Sequence, residues 1–291
     1  MRHSCKQYVN PQAVGTECTQ PRPRQTVYMH LTSDSSVLFV GDTHANTAFL
    51  ENAVLPTAAA LEVDAIIQVG DFGFDSSSSD FIDLAASAKK RFGLDVWFLD
   101  GNHENHDFLH AELAQLSGRE FPREPVNIAG GLWYLPRGAR FVAAGLTAVA
   151  VGGAVSIDRA ARTPGIDWFP SERLNNADLE AIAALGPCDL FVSHDAPSGW
   201  TIPGLLSELD LPEFWKPELE ACNEHRFRVR EAFDAIQPRI LVHGHYHVPY
   251  RMELTEDWGT VSAFGLDCDT GRIWGALMTN QDGAVSVRAV G

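Results

Sequence analysis

Five short apolar runs in this sequence each end in side chains able to ligate a metal. Residues 37–40 lead into Gly41-Asp42-Thr43-His44, 65–69 into Gly70-Asp71, and 96–99 into Asp100-Gly101-Asn102-His103-Glu104. Residues 190–192 lead into Ser193-His194-Asp195, and 240–242 into His243-Gly244-His245-Tyr246-His247. Carboxylate, amide oxygen and imidazole recur without any thiolate, a mixture that suits Mn²⁺, Fe or Zn²⁺ at a reactive centre and disfavours a structural zinc site. Asp42 and His44 are two apart, as are His245 and His247, so extended backbone would send each pair to one side. Glycines before Asp42, Asp71, Asn102 and His245 permit close backbone approach to an ion. A single Asp or His at a strand end is ordinarily a turn or hydrogen-bonding group. The fivefold recurrence is what argues for one shared site.

Such residues need elements that bring them together. The five apolar runs have strand length and alternate with helical patterns over 45–61 (with Pro56 as a kink or break), 80–91, 105–116, 177–185 and 218–236. That alternation predicts an α/β architecture with strands buried on both faces, whose carboxyl ends gather ligands at one edge. Residues 126–155 and 249–290 differ in texture, with consecutive strand-like runs joined by Gly or Asp turns. They predict a second, more antiparallel sheet packed on the first. Ser79 is a candidate helix cap.

Composition limits the partners. Of 291 residues, 22 are Lys or Arg and 38 Asp or Glu, for a net charge of −16. That balance argues against wrapping long duplex nucleic acid or an anionic membrane, unless the site itself concentrates positive charge. The apolar stretch 141–155 is glycine-broken and reads as two buried strands rather than a membrane span. Five scattered cysteines (Cys5, Cys18, Cys188, Cys222 and Cys268) without a C-x-x-C pair predict a reducing, cytoplasmic setting. Residues 1–28 hold Arg2, Lys6, Arg22 and Arg24 against Glu17, with three prolines, and are expected to be a flexible tail before a single domain over 29–291.

The order G-D-x-H, G-D, G-N-H-E, H, G-H-x-H across residues 37–248 resembles that of the calcineurin-like metallophosphoesterases. The resemblance implies a four-layer α/β/β/α sandwich of two mixed sheets, with a dinuclear metal site at the strand carboxyl edge. It implies that Asp42, His44 and His247 hold one divalent ion and Asn102, His194 and His245 the other, with Asp71 bridging. Mn²⁺ is the expected ion, with Fe or Zn²⁺ as alternatives. His103 would donate a proton to the leaving group, and the slot of Asp100 is commonly variable. Glu104 and Asp195 are candidates for orienting the neighbouring imidazoles.

Departures from the family pattern bear on the substrate. Protein phosphatases of this superfamily carry an arginine in the second block, whereas this chain has Gly70-Asp71-Phe72-Gly73-Phe74-Asp75. Position 45, often glycine, is Ala45, followed by Asn46. Residues 152–165 and Ser193-His194-Asp195-Ala196-Pro197 are similar to segments of phosphodiesterase-type members. The expected activity is therefore hydrolysis of a small phosphodiester, such as a nucleotide or cyclic nucleotide. A phosphomonoesterase or serine/threonine protein phosphatase is the alternative, and a catalytically silent scaffold the alternative of another class. Arg159 and Arg162 are candidates to contact a phosphate, or else loop arginines. His243 is expected to pack behind the site, His106 and His110 to lie on an exposed helix face, and Arg226, Arg228 and Arg230 to form a surface charge run. Trp168, Phe169 and Trp200 could stack on a base, with packing the favoured role, and Trp215 is expected to pin a loop.

Overall fold

In the first strand, β1 (Ser36–Val40), Val37 and Phe39 point to one side and Leu38 and Val40 to the other, and all four are almost fully buried. A strand that is apolar on both faces needs cover on both. A computed structural model, which describes residues 35–205 and 213–291, shows what provides it. The tail expected over 1–28, Cys5 and Cys18 lie outside the described residues.

Seven strands form the first sheet. With β1 they are β2 (Ala65–Gln68), β3 (Asp95–Phe98), β4 (Val126–Ala129), β5 (Leu132–Tyr134), β12 (Gly275–Gln281) and β13 (Ala284–Val290), in the order β13-β12-β1-β2-β3-β5-β4. The second sheet contains β6 (Arg140–Ala143), β7 (Leu146–Val151), β8 (Leu190–Ser193), β9 (Ile240–His243), β10 (Tyr250–Glu256) and β11 (Gly259–Gly265), in the order β10-β11-β9-β8-β7-β6. Both sheets are mixed. Each has a parallel centre, β1-β2-β3-β5 and β7-β8-β9-β11, edged by antiparallel strands. Two mixed sheets are as expected, but the second is not the more antiparallel one and is not built from the meander segments alone. The meander segments are shared between the two sheets: β5, β7 and β11 join the parallel centres, while β4, β6, β10, β12 and β13 extend them in antiparallel fashion.

Three apolar layers give the α/β/β/α sandwich. Val37, Phe39, Ile67 and Trp97 meet Phe141, Ala148, Val192 and Val242 between the sheets. Outside the first sheet, Leu38, Ile66 and Phe98 pack on α1 (Thr47–Phe49), α2 (Leu55–Ala60), α3 (Ser79–Phe92) and α4 (His106–Ser117). Outside the second, Val149, Phe191 and Leu241 pack on α5 (Asn176–Ala183) and α6 (Lys216–Ile236). Pro56 does not break its helix. A wider π turn over Leu50–Val54 joins α1 to α2, with Leu55 N–H reaching Leu50 O, so Pro56 falls in a first turn where its missing N–H is not needed. Ser79 is the first residue of α3 rather than its cap, which is Ser78. No helix among the described residues is long and apolar enough to cross a membrane.

Register delivers the strand ends together. Val40 pairs with Gln68 and Gln68 with Phe98, so β1, β2 and β3 end in step. Val192 pairs with Val242 in the second sheet. At the opposite end, Asp189 ties three strands: its carboxylate accepts from Thr147 N (3.0 Å), Thr147 Oγ1 (2.7 Å) and Arg239 Nε (3.0 Å). Burial opposes its charge, but the bonds from Thr147 and Arg239 outweigh that and hold its pKa below the usual range. A depressed folded-state pKa stabilises above the unfolded value of about 4, and that stabilisation disappears as pH falls through the folded value. Asp189→Asn is therefore expected to unfold at lower urea than wild type at pH 7, with the gap closing below about pH 4. An equal gap at both pH values would contradict this origin.

Candidate metal centre

The loops that follow the five strand ends are stitched to one another before any side chain is considered. Thr43 N and His44 N both donate to Asp71 O, at 3.1 and 2.9 Å, and Gly244 N donates to His194 O at 3.2 Å. The chain is not extended here. His44, Asp71, His245 and His247 have positive φ values of 44°, 53°, 71° and 52°. Such backbone costs a non-glycine residue on the order of 1–3 kcal/mol, and it clusters where side chains must converge. Asp42 and His44 share one group as expected, but the expectation that His245 and His247 point to one side is corrected. His247 joins Asp42 and His44, whereas His245 joins Asp71 and His194, because the left-handed turns aim the two imidazoles at different groups. Glycine is needed at 101 and 244 for space: a Cβ at Gly101 would strike Asp71 Oδ1, and one at Gly244 would strike Asp42 Oδ1.

Among the described residues, three overlapping groups offer ligand atoms within 4.8 Å of one another: Asp42, His44 and His247; His44, Asp71 and His103; and Asp71, His194 and His245. Asp71 is common to two of them. Its Oδ2 lies 3.6 Å from His44 Nε2 and 3.9 Å from His103 Nε2, while its Oδ1 lies 3.3 Å from His194 Nε2. Oδ1 also accepts from the backbone N–H groups of Asn102 and His103, both at 2.8 Å. Asp42 Oδ2 lies 3.0 Å from His247 Nε2, and Asn102 Oδ1 lies 3.2 Å from His194 Nε2. His194 Nδ1 donates to Val69 O at 3.0 Å, which leaves Nε2 to face the site.

Charge in the centre is unbalanced without cations. Burial disfavours charge on His44, yet Asp71, Asp42 and Asp269 raise its pKa to about 9. Burial likewise works against His194, but Asp71 and Asp42 push it up to about 10. Burial beside His194 lowers His245 to about 4. Protons on His44 and His194 thus balance buried carboxylates that divalent ions would balance better, and with oxygen and imidazole donors the residues present fit such ions.

Other candidates fall in varied places. Arg162 reaches the centre, with Nη2 at 2.9 Å from His103 Nε2, and also bonds Asp158. Burial and this guanidinium lower the His103 pKa. Arg159 pairs instead with Glu218 at 2.8 Å and lies over Trp168. Glu104 does not touch an imidazole. Its carboxylate accepts from Phe72 N, Gly73 N and Gly101 N, holding the loop backbones because its side chain is drawn under them. Asp195 also turns away from His194, accepting from Ala196 N, His225 Nδ1 and Tyr246 Oη. His106 is buried rather than exposed, with Nε2 at 3.1 Å from Gly101 O, since α4 starts directly beneath the site. His110 is half-buried against Phe121. His243 is buried between Gly244 O and Tyr250 Oη. The arginines of α6 are not a free charge run: Arg226 bonds Ala196 O and Pro197 O, Arg228 bonds Asn176, and Arg230 bonds Glu256. Trp168 donates to Glu172, Phe169 is buried, and Trp200 packs on Phe233. Trp215 ends a short 3₁₀ turn, Glu213–Trp215, at the start of α6.

Sequence reasoning missed the support beneath the centre. Asp100 accepts from Tyr134 Oη (2.8 Å) and from Arg137 Nε and Nη2 (2.9 and 2.6 Å), and Arg137 also reaches Asp178. Asn102 Nδ2 donates to Ser156 Oγ, which donates to Glu172. Asp269 bonds both His44 and Asn46. Asp100 was visible beside Asn102, but its partner is 37 residues away, and spacing carries no signal for that. Removing one member of a buried ion pair strands the other, which typically costs about 3–5 kcal/mol. Arg137→Ala is expected to lose about that much stability in urea unfolding, and a loss below about 1 kcal/mol would show that Asp100 does not depend on it.

The family model described as calcineurin-like phosphoesterase matches residues 35–249, well over half of the chain. Among curated proteins, none matches the sequence. A crystal structure of a Thermus thermophilus protein is similar in fold, with a TM-score of 0.52 at 13% identity over 88% of this chain and 99% of that one. A protein serine/threonine phosphatase from Saccharomyces cerevisiae has 14% identity and a TM-score of 0.38 over 89% of this chain and 80% of that one. A Streptococcus pneumoniae protein described as a predicted phosphoesterase has 11% identity and a TM-score of 0.33, over 89% and 99% of the two chains. From the family match over strands that end in these ligand groups, the chain belongs to the calcineurin-like phosphoesterase family.

Proposed function

We propose that this protein hydrolyses a small phosphodiester with two divalent metal ions. The observation that carries the reading is Asp71, a single buried carboxylate whose two oxygens face two different imidazole groups. Asp42, His44 and His247 would hold one ion, Asn102, His194 and His245 the other, with Asp71 shared. Such ions lower the pKa of bound water and offset charge on phosphoryl oxygens. Mn²⁺ is the ion proposed, with Fe or Zn²⁺ also suited to these donors.

The chain's own residues do the rest. His103 sits at the rim with 42% of its side chain exposed, where a leaving group would exit. A guanidinium only donates, so Arg162 Nη2 donates to His103 Nε2 and the imidazole is neutral before substrate arrives. An anionic phosphoester draws the Arg162 donors to its own oxygens and favours protonation of His103, which then gives its proton to the departing alkoxide. Asn102 is held for its role by Ser156 and Glu172.

Two features favour a diester. In the second block, the slot where an arginine would grip a monoester dianion holds Asp75, a carboxylate that accepts from Ser77 N at 2.7 Å, while Phe72 and Phe74 stack on Phe98 in the core. Beyond His103 a cleft of about 810 Å³, lined by Asp75, Ser77, Arg162, Ile166 and Phe169, leaves room for a second esterified group. The acidic surface adds a preference for a small substrate over a duplex. The free cysteines Cys188, Cys222 and Cys268 suit action in a reducing, cytoplasmic compartment.

Turnover of bis-p-nitrophenyl phosphate against p-nitrophenyl phosphate with Mn²⁺ tests this. The diester is expected to have the higher kcat/KM, and His103→Ala is expected to keep its metal while kcat falls about 10²–10⁴-fold. Strong preference for the monoester would instead assign a phosphatase. Protein that binds no metal and is indifferent to Asp71→Asn would be a scaffold.

A further inference from the structure

The loop between β11 and β12 lies beyond residue 249, where the family match ends, yet it reaches the centre. Its backbone is tied to the β1 loop twice: Asp269 N donates to Asp42 O at 2.9 Å, and Gly41 N donates to Trp274 O at 2.9 Å. The Asp269 side chain is largely buried, and each of its oxygens has its own partner. Oδ1 lies 3.3 Å from His44 Nδ1, and Oδ2 accepts from Asn46 Nδ2 at 2.7 Å. Asn46 is itself fixed, because its Oδ1 accepts from Phe49 N and caps α1. The unusual Ala45-Asn46 pair thus has a structural partner far along the chain.

We infer that Asp269 is a positioning residue for His44, holding the imidazole so that Nε2 is the atom offered to an ion. This inference rests on the dinuclear reading above. A carboxylate can only accept, so it holds one proton of His44 on Nδ1 and turns Nε2 towards Asp71 and the Asp42 group, where an ion would take the place of any second proton. Two bonds to the carboxylate prevent it from rotating, and the negative charge makes the imidazole a better donor. His194 receives the equivalent orientation from Val69 O, a neutral carbonyl. The two halves of the centre are therefore supported differently, and only the Asp42–His44–His247 half depends on residue 269.

Calorimetric titration of Mn²⁺ into metal-stripped wild type, Asp269→Ala and Asp269→Asn tests this, with thermal melts of the metal-free proteins as the folding control. Wild type is expected to bind two ions. Asp269→Ala is expected to weaken one of them about 10–100-fold and leave the other unchanged. Asp269→Asn keeps an acceptor and is expected to lose less at the same ion, and it carries the test if the alanine variant does not fold. Two ions bound by both variants as tightly as by wild type would overturn this inference alone, as would equal weakening of both. Wild type binding fewer than two ions would overturn the dinuclear reading and this inference with it.

Discussion

Asp71 is a buried carboxylate that must satisfy two imidazole groups and two backbone N–H donors at once, and the rest of the centre is arranged around that demand. It follows a strand in the middle of the first sheet, so its backbone is anchored by β1 on one side and β3 on the other. The left-handed turn at residue 71 aims the side chain inward, and Gly101 gives it space. His194 comes from the other sheet. The contact between Asp71 and His194 therefore holds only while the two sheets keep their separation, which the apolar layer between them sets.

Support around the centre follows one physical rule: each buried carboxyl group is given hydrogen-bond partners from neighbouring loops or helices. Asp100 has Arg137 and Tyr134, and Arg137 is in turn held by Asp178, the residue that completes the capping box of α5. Asp195 has His225, whose Nε2 accepts from Leu174 N, so the imidazole proton lies on Nδ1 toward the carboxylate. Glu104 has three backbone donors. In each case a carboxylate fixes loop geometry that apolar packing alone would leave adjustable. The overall negative charge is then no obstacle to the proposed anionic substrate, since divalent ions at Asp42 and Asp71 would concentrate positive charge at the proposed centre.

Much of the fold was legible because burial on both faces leaves a plain trace. The five apolar runs became β1, β2, β3, β8 and β9 within one or two residues, and the helical patterns matched α3 to α6 closely. The assignment of the meander segments failed for a different reason. Hairpins such as β6–β7 and β12–β13 look alike in sequence, and which sheet each extends depends on packing between layers. His106 was misread because helical spacing says nothing of what lies beneath the first turn.

The amino-acid sequence by itself determined which side chains are available for the centre and that they follow strand ends, because donor chemistry and hydrophobic periodicity are local properties. Spacing along the chain does not group those donors; the turns that they occupy in the tertiary structure do. His245 and His247 are two residues apart yet face different groups, since the sign of φ at each is set by the turn it occupies. Asp269 lies 225 residues from His44 and still meets its Nδ1, and Arg137 meets Asp100 from a different loop. Such pairings come from the order and register of strands in two packed sheets, which no spacing along the chain encodes.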